Sequence, residues 1–107
     1  MRYPTNVNVM GRHIDVHIVD KPIGVAGEND KGEELYITGQ YDPLTDTIKV
    51  FHMDEKPSIG GHNFVHEIIE AINSHGDLQM NHTQISTVAS ALYNTFTNAG
   101  VSFAMAA

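Results

Sequence analysis

His62-Asn63-Phe64-Val65-His66-Glu67-Ile68-Ile69-Glu70-Ala71-Ile72-Asn73-Ser74-His75 is the stretch from which the rest of this chain can be read. At 100° per residue, Phe64, Val65, Ile68, Ile69 and Ile72 fall on one apolar stripe, which predicts an amphipathic helix turned towards a core. His66 and Glu70 stand one turn apart on the opposite side, so their side chains project together. Glu67 lies next to them on the rim. One segment thus supplies a helix with a buried face and a polar face carrying an imidazole and two carboxylates.

Working outward, Gly76 is a natural left-handed terminator and Asp77 resists continuation, so the helix is expected to end near His75. Asn81 suits an N-cap, with Gln84 three residues on completing a capping-box pair. Ile85, Val88, Ala89, Leu92 and Phe96 recur at helical spacing, and Asn98-Ala99-Gly100 closes this second helix. The short link between the two predicts an antiparallel helical hairpin.

Upstream the period changes from helical to two. Arg12–Asp20 alternates Ile14, Val16 and Ile18 with His13, Asp15 and His17, the pattern of a half-buried strand. Glu34–Tyr41 reads as a second strand with Leu35 and Ile37 inward, and Thr47–Met53 as a third with Ile48 and Val50 inward. The turn chemistry of Asp42-Pro43-Leu44-Thr45-Asp46 joins these two as a hairpin. Lys21–Glu33, with Gly24, Gly27 and Gly32, reads as a flexible loop. Met53–Gly61 reads as another, its Gly60-Gly61 pair releasing the chain into the first helix. Residues 1–11 and 101–107 lack periodicity and are expected to be flexible ends.

The predicted fold class is therefore α+β: a single domain over residues 1–107, with a short antiparallel β-sheet packed on two antiparallel helices. Ile14, Val16, Ile18, Ile37, Ile48, Val50, Val65, Ile68, Ile69, Ile72, Ile85, Val88 and Leu92 should form its core.

Composition narrows the chemistry. With 107 residues and 41% hydrophobic content the chain suits one folded domain. No apolar run approaches the roughly 20 residues of a membrane span and no signal-like segment follows the start, so no membrane partner and a cytoplasmic location are expected. The lack of cysteine rules out disulfides and thiol catalysis. Six scattered basic residues against thirteen acidic ones give a net charge of −7, which argues against a nucleic-acid partner. Seven histidines are many for this length, and they point towards metal.

His66-Glu67-x-x-Glu70 has the spacing of a zinc-hydrolase helix, in which a His and a second ligand one turn later hold the ion; the usual second ligand is His, where this chain has Glu70. His82 supplies a third. Glu70 lies about five residues before the first helix ends, roughly 7.5 Å along its axis, and His82 sits in the first turn of the returning helix beside that end. On the wheel His82 falls 60° from Ile85, at the border of the inward stripe. The set His66, Glu70 and His82 is two imidazoles and a carboxylate, the ligand set of catalytic zinc sites that keep a fourth position open. Glu67 would be the general base, taking a proton from water as it attacks a carbonyl. His52, His62 and His75 read as surface or capping residues.

The order of elements carries a resemblance. A strand, a hairpin of the form Gly39-Gln40-Tyr41-Asp42…Thr47-Ile48-Lys49-Val50, His66-Glu67 on a helix followed by Ala71-Ile72, and a helix with Ile85 and Leu92-Tyr93 together look like the small zincin-like metallopeptidases of phages and prophages. The resemblance covers roughly Ile14 to Phe96. It implies His66 as ligand, Glu67 as base, a zinc cofactor, and a peptide or protein partner lying along the sheet edge at Thr47–Met53 or its hairpin partner. Glu70 departs from the family's His-Glu-x-x-His, so its role as ligand comes from its chemistry. Three functions are consistent with these features: a minimal zinc-dependent peptidase or amidase, a zincin-derived module that acts by contact, and an α+β interaction module without metal.

Overall fold

The computed structural model describes residues 3–101, which run β1 (Asn6–Val9), β2 (Arg12–Val19), β3 (Gly24–Glu28), β4 (Glu34–Ile37), β5 (Gly39–Asp42), β6 (Thr47–Phe51), α1 (Pro57–Gly76) and α2 (His82–Asn98). The class is α+β. Four strands form one sheet in the order β1-β2-β6-β5, and β3 and β4 form a separate two-stranded ribbon.

Period-two alternation builds the sheet's buried face. Ile14 and Val16 of β2 and Ile48 and Val50 of β6 turn inward, while His13, Asp15, His17 and Lys49 turn out. Ile18 keeps the alternation but stands 42% exposed near the end of β2.

The sheet is mixed, not antiparallel throughout as expected. β1–β2 and β5–β6 are antiparallel, but β2 and β6 are parallel, with Val16 opposite Ile48 and Ile18 opposite Val50. The connection explains this. Residues 20–46 carry the chain past the position of β6 and return it as β5 at the sheet's edge. The following hairpin folds β6 into the gap, antiparallel to β5 and hence parallel to β2.

Two stretches expected to be irregular contain strands. Within residues 1–11, β1 pairs with β2 across Met10-Gly11, whose φ values of 53° and 84° provide the positive-φ pair of a two-residue hairpin turn. Tyr3 and Val9 are buried there. Within Lys21–Glu33, β3 pairs with β4, the first half of the expected second strand. That strand is split at Thr38 between ribbon and sheet. The expected flexible tail, beyond Val101, lies outside the described residues.

α1 begins at Pro57, a turn before the glycine pair expected to precede it, since proline at N1 has its φ preset and no N–H to lose. Gly60 and Gly61 serve packing inside the helix: a Cβ would stand 2.6 Å from the Tyr3 hydroxyl at the first and 2.7 Å from Tyr93 Cε2 at the second. At the far end Gly76 remains helical and Asp77 takes the left-handed conformation, φ 50° and ψ 47°, its N–H bonded to Asn73 O.

α1 packs on β1, β5 and β6 with one side and on α2 with another. Phe64 and Ala71 join the sheet core, whereas Val65 and Ile69 join Ile85 and Ala89 of α2. Ile68, Ile72 and Leu92 flank these clusters, Ile37 is partly buried, and Val88 is exposed on the outer side of α2. Among the described residues no helix is long and apolar enough to cross a membrane.

Candidate metal centre

Two asparagines set the helices against each other. Asn81 caps α2 as expected, its side chain accepting from Gln84 N–H at 2.8 Å while the Gln84 side chain accepts from Asn81 N–H at 2.9 Å. Asn73, in the last turn of α1, fastens the link: its Oδ1 accepts from Met80 N–H at 2.8 Å and its Nδ2 donates to Met80 O at 3.4 Å. The first turn of α2, and with it His82, is thereby held beside Glu70.

His66, Glu70 and His82 come together as the spacing predicts. One donor atom from each lies within 4.8 Å of the other two, close enough to share a metal ion. His66 Nε2 is 3.5 Å from Glu70 Oε1, and the two imidazole centroids are 5.3 Å apart. His66 and Glu70 are half-buried and His82 is exposed, so an ion would be reached from solvent. Burial holds His66 below the usual imidazole range; His82 and His62 act in the same direction and Glu70 opposes them. A neutral imidazole has the free lone pair that a metal requires. Two imidazoles and a carboxylate fit a divalent cation.

Glu67 does not occupy the rim. It is 6% exposed, the one buried charged side chain among the described residues. Its carboxyl lies on β5, against Gly39 and accepting from Tyr41 N–H. Burial raises its pKa from 4.5 to about 8; the nearby charge of Glu70 adds to this and the Tyr41 N–H opposes it.

The remaining histidines stay out of the cluster. His62 Nε2 bonds Ser90 Oγ at 2.9 Å, and its ring stands edge-on to Tyr93. His62, His66 and Glu70 on α1 thus run as a polar row beside His82, Ser86 and Ser90 on α2. His52 and His75 are more enclosed than surface positions. His52 bonds Tyr3 at 3.3 Å and Asp54 at 3.2 Å. His75 bonds the Tyr41 hydroxyl, which also donates to Asp46 at 3.1 Å, and Asp46 is paired with Arg12 at 2.8 Å.

Sequence reasoning missed Gly39, Tyr41 and Asn73. Only Asn73 left a signal: an amide side chain in the last turn before a short link can serve that link's backbone. Comparison with protein-family models, with curated proteins and with solved structures finds no match to this chain.

Proposed function

We propose that this chain is a small zinc-dependent hydrolase of peptides or amides, with His66, Glu70 and His82 holding the ion and Glu67 as general base. The observation that carries the reading is the three-donor cluster beside a buried carboxyl that follows the first ligand by one residue. Zinc bound there would supply a Lewis acid that polarises a carbonyl and acidifies water. The protein's own groups do the rest.

His66 and His82 present ring nitrogens, and Glu70 adds a negative charge that a third imidazole would lack. Glu67 takes the proton of the attacking water and returns it to the departing amine. Its place against β5 puts it at the sheet's edge, alongside which an extended peptide can lie. β5, the hairpin partner of β6, is that edge strand, which supports the likeness to small zincin-like peptidases. Glu67 acts as a base only when ionised, and the charge of Glu70 weakens the Lewis acid. Activity should therefore rise from neutral into alkaline pH.

The test begins with elemental analysis of protein purified without a metal-affinity tag. Zinc-loaded wild type and Glu67→Gln are then given a mixed peptide library. We expect cleavage by wild type and a loss of about 100-fold or more in the variant. Undiminished cleavage by Glu67→Gln rejects the base assignment. No cleavage by either, with zinc bound, supports instead a zincin-derived module that acts by contact.

A further inference from the structure

β5 is an edge strand, and its register decides which backbone groups face outward. Phe51 N–H donates to Thr38 O, so residues 38, 40 and 42 turn their backbone groups towards β6, while Gly39 and Tyr41 turn theirs away. Glu67 comes up on that open side and accepts from Tyr41 N–H. At Gly39 an added Cβ would lie 2.6 Å from Glu67 Oε2 and 3.2 Å from its Cγ and Cδ, far inside ordinary contact. Gly39 has no positive φ, so its backbone does not demand glycine. The space taken by Glu67 does.

We propose that Gly39 and Tyr41 are positioning residues: together they seat the Glu67 carboxyl on the edge strand and keep it a free base instead of a fourth protein ligand. This rests on reading His66, Glu70 and His82 as ligands, and it adds what keeps the neighbouring acid out of their number. Around the α1 axis Glu67 lies 60° from Glu70 and 100° from His66. A carboxyl freed from β5 therefore swings towards the side on which Glu70 points, where a cation attracts it. Once coordinated, its lone pairs serve the ion and it ceases to be a useful proton acceptor. A methyl group at position 39 fills the seat and drives that swing.

The experiment compares wild type, Gly39→Ala, Glu67→Gln and the Gly39→Ala/Glu67→Gln double variant. Zinc affinity is read by competition with a chelator, and peptide hydrolysis is read across pH. Gly39→Ala should bind zinc at least about tenfold tighter, since even outer-shell partners move affinity on that scale. It should also lose most of its hydrolysis. In the Glu67→Gln background the same substitution should leave affinity unchanged. A merely structural role for Gly39 would lower affinity in both backgrounds. Affinity that is unchanged or lower in Gly39→Ala overturns the proposal. The affinity result does not depend on turnover, so a wild type that fails to cleave removes the hydrolase reading and leaves the seat tested. Should Gly39→Ala fold poorly, melting of metal-free protein decides. The substitution must cost less stability beside Glu67→Ala than beside Glu67, and an equal cost overturns the seat.

Discussion

Burial of its carboxyl against a strand couples the protonation of Glu67 to folding. Its pKa of about 8 in the folded chain lies above the ordinary 4.5, so folding favours the protonated acid. Below pH 4.5 both states hold the proton. Between 4.5 and 8 the unfolded chain releases it first, so this group's contribution to stability falls as pH rises, and above 8 the loss is complete. In zinc-free protein, Glu67→Gln keeps an acceptor for Tyr41 N–H and carries no charge. Its stability relative to wild type should therefore be greater at pH 9 than at pH 5, by on the order of a few kcal/mol. Denaturant melts at the two pH values check this, and equal differences reject the burial. For the ligands, His82→Ala should weaken zinc binding by at least about tenfold, whereas His75→Ala should not, because His75 bonds Tyr41 outside the cluster. His66, Glu70 and His82 were legible because i, i+4 spacing and a short link are local facts. Glu67 was misplaced because the strand that buries it arrives from 28 residues earlier in the chain, at Gly39.

Among the elements, the helices were the most legible, since their 3.6-residue period, the Asn81 cap and the apolar stripes are all written in consecutive residues. Ile69 sits in the α1–α2 contact at 8% exposure. Ile69→Ala should cost about 2–5 kcal/mol; a change under about half a kcal/mol in thermal or denaturant melts would remove it from the core. Asn73→Ala breaks both bonds to Met80. It should cost about 1–3 kcal/mol and also weaken zinc binding, because His82 loses its fixed place beside Glu70. An unchanged chelator titration would show that the Asn81 cap alone positions His82. The strands were less legible for a physical reason: β3 is glycine-rich and exposed, and it exists through its pairing with β4. No local pattern in Gly24–Glu28 records that partner. The same holds for β1 and the residues before it, since burial of Val9 and Tyr3 depends on a sheet assembled from later residues.

Over the whole molecule, the parallel β2–β6 pair lay furthest from the sequence, because strand order depends on where residues 20–46 return. That excursion divides the molecule. The three side chains close enough to share a metal ion belong to the helical hairpin alone, the sheet contributes the support for Glu67, and the β3–β4 ribbon makes its extensive contacts within itself. Val19 and Gly39 flank β6 at the same end of the sheet, two strand spacings or about 10 Å apart. A short flexible linker can cross that gap in place of residues 23–37. Such a variant should still fold and bind zinc as tightly as wild type, as far-UV circular dichroism and chelator competition would report. Loss of the sheet would show the ribbon to be part of the folding unit. Because closure entropy grows only slowly with loop length, the ribbon is also the place where a lineage can lengthen, shorten or rewrite its sequence at small cost to the rest. Descendants of one ancestor could keep the same sheet and helices and part company in the surface this ribbon presents.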